Sequence, residues 1–182
     1  MHGSVKGLES ASKDKINVLE DYLDKISYYS KKHNSTGLLV LHEGKIVLEE
    51  YWQGNNQKST TDSASMSKTL TALLIGVAID EGKIHSEDEL AVNYLPEWKN
   101  DSRKKITIKN LLQMNSGLRN DDRLTTPFSD LVKMHIGFNL TEYVLSIPAI
   151  IEPGTKYEYN NANSQILGII LERVTGKKYH EY

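Results

Sequence analysis

Cysteine is absent from the 182 residues. That excludes a disulfide scaffold, a thiolate zinc site, an iron–sulfur cluster and a cysteine nucleophile. It leaves the redox compartment open, because a chain without thiols can live in any. An excess of charge is lacking too: 22 Lys and Arg stand against 24 Asp and Glu, a formal net charge of −2. Nothing in that balance points to nucleic acid or to an acidic membrane surface. No apolar run approaches the roughly 20 residues of a membrane span, and mean hydropathy is −0.48. Internal repeats and low-complexity tracts are missing. The six histidines show neither H-E-x-x-H nor any paired spacing, so no metal is expected, and no cofactor. The opening Met1-His2-Gly3-Ser4 lacks the apolar stretch of a signal peptide and resembles a tag remnant.

What is present is ordinary globular material. Hydrophobic residues make up 38% and charged residues 25%, and the length suits one domain able to bury a core. Within residues 9–33, Ile16, Leu19, Leu23 and Ile26 make one apolar stripe on a helix. Thr36 to His42 reads as a buried strand, Glu43-Gly44 as a turn and Lys45 to Trp52 as a second strand, together a hairpin. Ser65 to Glu81 carries Leu70, Leu73, Leu74, Ile75, Val77 and Ile79 and is apolar nearly all round, which predicts a buried central helix. Gly82 stops it. Helical pieces follow near 87–95, over Ile106 to Met114 and over 139–147, with 118–137 mostly irregular. Pro153-Gly154 is a turn, and Asn163 to Thr175 is a last amphipathic helix stopped by Gly176. A hairpin followed almost entirely by helices leaves the sheet unfinished.

The candidate chemistry starts from serine and lysine. Sixteen Ser and eighteen Lys produce four S-x-x-K spacings: Ser10/Lys13, Ser12/Lys15, Ser65/Lys68 and Ser102/Lys105. Three lie in polar stretches and read as solvated surface. Only Ser65/Lys68 stands at the front of an apolar helix, where side chains three residues apart share a face. The helix N-terminus there favours negative charge developing on the serine oxygen, and desolvation of the lysine amine favours its neutral, basic form. An equally simple reading makes Ser65 and Ser67 caps and lets Lys68 snorkel to solvent. The one Y-x-N of the chain is Tyr159-Asn160-Asn161. On a loop before a helix, the Tyr159 hydroxyl can face a cleft, and a lysine beside it would lower its pKa and make it a proton carrier. Otherwise Tyr157 and Tyr159 pack on a core face while Asn161 caps the helix.

The order of these pieces resembles the serine β-lactamase and DD-peptidase (penicillin-binding protein) superfamily, in the class C-like branch that also holds esterases and 6-aminohexanoate-dimer hydrolases. The resemblance runs from about Gly37 to Tyr182. Ser65-Met66-Ser67-Lys68 with Thr69-Leu70-Thr71-Ala72 is similar to the nucleophile helix, and Gly82-Lys83-Ile84 through Tyr94-Leu95-Pro96 to the segment after it. Ile106-Thr107 through Leu111-Leu112, Met114 and Ser116-Gly117-Leu118 matches the I-T-x-x-x-L-L-x-M-x-S-G-L stretch. Glu152-Pro153-Gly154-Thr155 leads to Tyr159-Asn160-Asn161, and Leu167-Gly168 and Val174-Thr175-Gly176 match the helix that follows.

The resemblance implies an α+β fold, a helix-flanked antiparallel sheet with a helical domain. Residues 1–60 would supply the N-terminal helix and first two strands, and 61–182 the helical part with both motifs. It also implies a serine hydrolase working through an acyl-enzyme on an amide, ester or lactam, with a small molecule or peptide as substrate. Ser65 would be the nucleophile, Lys68 its base partner, Tyr159 the general base and acid, and Asn161 a substrate- or Lys-binding group. The backbone N–H of Ser65 would be one oxyanion donor; Ser116 and Gly117 read as structural. A non-catalytic penicillin- or peptide-binding sensor with the same fold is the alternative. The implied location is bacterial and periplasmic or extracellular, with the cytoplasm left open.

One departure stands out. The family's third motif, a Lys or His, a small residue and Gly on a strand after the tyrosine, has no match after Tyr159. His135-Ile136-Gly137 has similar letters in the wrong order and reads as loop. The C-terminal strands are therefore expected to be absent from this chain, either supplied by a second chain or lacking altogether.

Overall fold

Residues 8–10, 20–121, 129–136 and 139–182 are described by the computed structural model. They fall into two units, Met1–Asp62 and Ser63–Tyr182. In the first, helix α1 (Glu20–Lys32) is followed by strands β1 (Gly37–His42) and β2 (Lys45–Tyr51). The strands pair antiparallel, with Gly37 opposite Tyr51 and His42 opposite Lys45. Glu43 and Gly44, both at positive φ, make the two-residue turn that suits the right-handed twist of a hairpin. Ser10 adds a single parallel bridge to Ile46. The expected stripe on α1 is only partly seen: Leu23 is buried, Ile26 is exposed, and Ile16 and Leu19 lie outside the described residues. The expectation of a buried β1 is corrected. Leu39 and Leu41 are exposed, because a two-stranded ribbon cannot cover both of its own faces.

The second unit holds helices α2 (Ser67–Asp80), α3 (Ile108–Leu112), α4 (Asp130–Ile136), α5 (Leu140–Ser146) and α6 (Asn161–Thr175). Its core gathers Ile75 and Ala78 of α2, Ile108 and Leu111 of α3, Val144 and Leu145 of α5, and a full stripe of α6, with Trp98, Ile84 and Leu95 from the connections. The stripe on α6 is Ala162, Asn163, Ile166, Leu167, Ile170 and Leu171, the i, i+4 pattern of a helix laid on a core. The Trp98 indole N–H donates to the Leu145 carbonyl at 3.1 Å, which satisfies its one polar atom inside the core.

Several local expectations change. The buried central helix is α6, not α2. Because apolar residues surround α2, only the face with Thr71, Ile75 and Ala78 reaches the core, leaving Leu70 at 53% and Leu73 at 64% exposure beside exposed Met66 and Val77. The helical piece expected near 87–95 is a single 3-10 turn, Ala91–Asn93. There Leu90 is extended and bridges Thr107, and the Ala91 N–H donates to the Ile106 carbonyl at 2.9 Å. The stretch expected to be irregular contains α4, which takes in His135 and Ile136; Gly137 lies outside the described residues. The Ser129 hydroxyl accepts from the Val132 N–H at 3.3 Å, a helix-start signal in Ser129-Asp130 that the apolar periodicity did not reveal.

Candidate active site

Ser65 lies in a 3-10 turn, Ala64–Met66, that feeds directly into α2. Ala64, immediately before it, has φ +43°, a left-handed backbone that costs an L residue about 1 kcal/mol or more. The Ser67 hydroxyl donates to the Ala64 carbonyl at 2.8 Å and holds this turn. Lys68, one helical step on, donates from Nζ to Ser65 Oγ at 3.1 Å.

Tyr159 comes from the loop before α6, and that loop is held on three sides. The Glu158 N–H donates to the Met114 carbonyl at 2.8 Å. Asn120 Nδ2 donates to the Tyr159 carbonyl at 3.0 Å. The buried Asn160 side chain donates to the carbonyls of Leu118 and Arg119, while its own oxygen accepts from the Ala162 N–H at 2.9 Å and caps α6. The cap is therefore Asn160 and not Asn161, because Asn160 has the extended backbone an N-cap needs.

So held, the Tyr159 hydroxyl donates to Ser65 Oγ at 2.9 Å. Lys68 Nζ lies 5.2 Å from the centre of the Tyr159 ring. One serine oxygen thus sits between an ammonium and a phenol contributed by segments 94 residues apart. The Lys68 ammonium first, and the Ser65 hydrogen bond second, hold the Tyr159 phenol below its ordinary pKa. Ser65 is exposed, Lys68 half-buried and Tyr159 43% exposed, so the group is open to an incoming molecule. Asn161 is half-buried at the first position of α6; among the described residues it makes no hydrogen bond to Lys68. Of the other described serines of S-x-x-K spacing, Ser10 belongs to the first unit and Ser102 opens the 3-10 turn Ser102–Lys105.

Ser116 and Gly117 prove to be supports. The Ser116 hydroxyl donates to Asn163 Oδ1 at 2.6 Å inside the core. The Gly117 carbonyl accepts from the N–H groups of Ile150 and Ile151 at 2.9 and 3.2 Å. Asn120, Asn160 and the strained Ala64 escaped the sequence reading. Asn160 could have been found as a capping residue just before an apolar stripe; Ala64 carries no sequence signal at all. Among the described residues, no group of three His, Asp or Glu side chains could hold a metal ion, and no helix is long and apolar enough to cross a membrane.

The profile of the Beta-lactamase family matches residues 17–182. The chain belongs to the beta-lactamase family. Protein flp of Staphylococcus aureus (strain MRSA252) is 29% identical over 156 residues, covering 80% of this chain and 31% of that protein. A class C beta-lactamase structure superposes with a TM-score of 0.70 at 22% identity, covering 94% of this chain and 48% of that one. FmtA from Staphylococcus aureus superposes with a TM-score of 0.64 at 24% identity, covering 97% and 49%. The mixed helix and antiparallel-sheet fold is that of the beta-lactamase family, and this chain spans 31% to 49% of the length of these relatives.

Proposed function

We propose that this chain carries the nucleophile and proton-transfer groups of a serine hydrolase that acts through an acyl-enzyme on an amide, ester or lactam. The observation that carries the reading is the convergence of Lys68 Nζ and the Tyr159 hydroxyl on Ser65 Oγ, at 3.1 and 2.9 Å. A nucleophilic hydroxyl within hydrogen-bond reach of a base that a third group tunes is the geometry covalent catalysis needs. Family membership supports the same reaction class.

The reaction divides into two steps. As Ser65 Oγ bonds to the substrate carbonyl carbon, its proton passes to the Tyr159 oxygen, which acts as phenolate. Lys68, still cationic, offsets the charge on both oxygens. Tyr159 then gives that proton to the departing nitrogen or oxygen as the carbonyl–leaving-group bond breaks, and the acyl group remains on Ser65. In the second step, water loses a proton to Tyr159 and attacks the ester, and Ser65 Oγ leaves with a proton restored. The Ser65 N–H is the oxyanion donor this chain would contribute. Asn161, at the mouth of α6, is assigned to substrate binding.

Labelling with a fluorophosphonate, read by intact mass and peptide mapping, tests the nucleophile. The expected result is one adduct, on Ser65, lost in Ser65→Ala and unchanged in Ser10→Ala and Ser102→Ala. An adduct that persists in Ser65→Ala, or no adduct on the parent chain, overturns the assignment.

A further inference from the structure

Asn120 reaches the Tyr159 carbonyl from a segment that is itself fastened at both ends to one side chain. That side chain is Asp130, the first residue of α4, only 3% exposed. Its Oδ1 accepts from Arg119 Nη2 at 2.8 Å and from the Tyr143 hydroxyl at 2.5 Å. Its Oδ2 accepts from Arg119 Nε at 3.2 Å and from the Asp121 N–H at 3.1 Å. Arg119 and Asp121 are the two neighbours of Asn120, so one carboxylate grips the residue before it by the side chain and the residue after it by the backbone. The Arg119 carbonyl is also taken, by Asn160 Nδ2 at 3.1 Å.

We propose that Asp130 is a positioning residue for Tyr159, acting through Arg119 and Asp121 to hold Asn120 against the tyrosine carbonyl and so to keep the phenol on Ser65. It touches neither substrate nor reacting atoms. That Tyr159 moves a proton rests on the function proposed above; that Asp130 fixes where Tyr159 stands rests on the hydrogen bonds alone.

The chemistry of Asp130 suits a clamp. Burying a carboxylate is costly, and burial works to raise its pKa. The hydrogen bonds from Arg119 and then Tyr143 more than offset that, and its pKa ends below the ordinary carboxylate value. The group therefore stays ionised and four-fold bonded through neutral pH. A buried ion pair of this kind is a poor source of net stability compared with apolar packing. What it supplies is geometry, since the planar guanidinium fork and the carboxylate admit few relative orientations. Among the described residues, three of the four hydrogen bonds come from the 119–121 segment, two from the Arg119 side chain and one from the Asp121 N–H, and the fourth, from Tyr143, comes from α5. The clamp thus references the tyrosine loop to the helical core rather than to the loop itself.

The test reads Tyr159 directly. In protein labelled with 13C at tyrosine Cζ, the Tyr159 resonance, identified by its loss in Tyr159→Phe, is titrated in the parent chain, in Asp130→Asn and in Asn120→Ala. Lys68 and Ser65 are the groups that face the phenol, and neither is altered. In the parent chain Tyr159 is expected to ionise below free tyrosine. In both variants the midpoint should rise toward the free value, and turnover of an activated ester should fall about tenfold in kcat with KM little changed, in line with the cost of displacing a reacting group. Asn120→Ala alters a half-buried loop residue, so it serves where Asp130→Asn fails to fold. An unchanged midpoint in a folded variant refutes the clamp and leaves the proposed function standing. A parent Tyr159 that titrates as free tyrosine refutes both.

Discussion

Tyr159→Phe should lower acyl transfer by about two to four orders of magnitude, the usual contribution of a positioned general base or acid. The substitution removes one oxygen and nothing else. The ring remains beside Lys68, whose Nζ lies 5.2 Å from its centre, and the hydrogen bonds that place the residue run through its backbone carbonyl and its neighbours. The loop should therefore hold its shape, and the change in thermal midpoint should be small. What disappears is the oxygen that the proposed mechanism makes the acceptor for the Ser65 proton. The pH profile supplies an independent reading. In the proposed mechanism Tyr159 works as phenolate, so the rate of the parent should rise with pH through the phenol's ionisation. Lys68 and Ser65 place that ionisation below the ordinary tyrosine value, so the rise comes earlier than for a free phenol. In Tyr159→Phe that limb should vanish, with only a shallow dependence left. Near-parent turnover in the variant would remove Tyr159 from the mechanism.

The second large effect is on folding. Gly117 has φ +75°, and a Cβ built there would stand 2.1 Å from the Ile151 carbonyl oxygen and 2.9 Å from its carbon. Both atoms are backbone, so no side-chain rotation relieves the overlap. Ile151 would have to withdraw, and its N–H, with that of Ile150, would lose the Gly117 carbonyl. Gly117→Ala should cost about 3 kcal/mol or more, combining left-handed strain with lost packing and hydrogen bonds. That is a large part of the roughly 5–15 kcal/mol that holds a domain folded. Gly176→Ala is the control: its φ is +68°, yet a Cβ there meets nothing within 4 Å, so only the strain of about 1 kcal/mol applies. Urea denaturation of the two variants should separate them clearly, and equal losses would show that the contact with Ile151 is unimportant. The Ser116-Gly117 pair underlies the tyrosine loop, so partly folded Gly117→Ala should also label poorly at Ser65.

Legibility in the sequence followed the range of each interaction. Elements written in short-range chemistry were readable: the Glu43-Gly44 turn and Gly176 ending α6. Ser65/Lys68 was separable from its three look-alikes only by the apolar run behind it, a one-helix property. Burial was not readable at α2. Apolar residues on all sides say that a helix prefers to be covered, but which face is covered depends on partners far along the chain. The same limit hid Asp130. Its donors Arg119, Asp121 and Tyr143 are spread over twenty-five positions, and no pattern of one residue type announces that they meet. Asn160 and Asn161 are identical letters, and only the backbone conformation distinguishes the helix cap from the residue after it.

The uncovered side of α2 sets how the chain behaves in the tube. Met66, Leu70, Leu73 and Val77 form a greasy strip that starts one residue from Ser65. Excluded salts such as ammonium sulfate strengthen apolar association, so they should drive copies together along this strip and cover the Ser65 hydroxyl as they do so. Labelling at Ser65 would then fall with protein concentration and salt for a purely colloidal reason, and dilute, low-salt solution is where that labelling should be read.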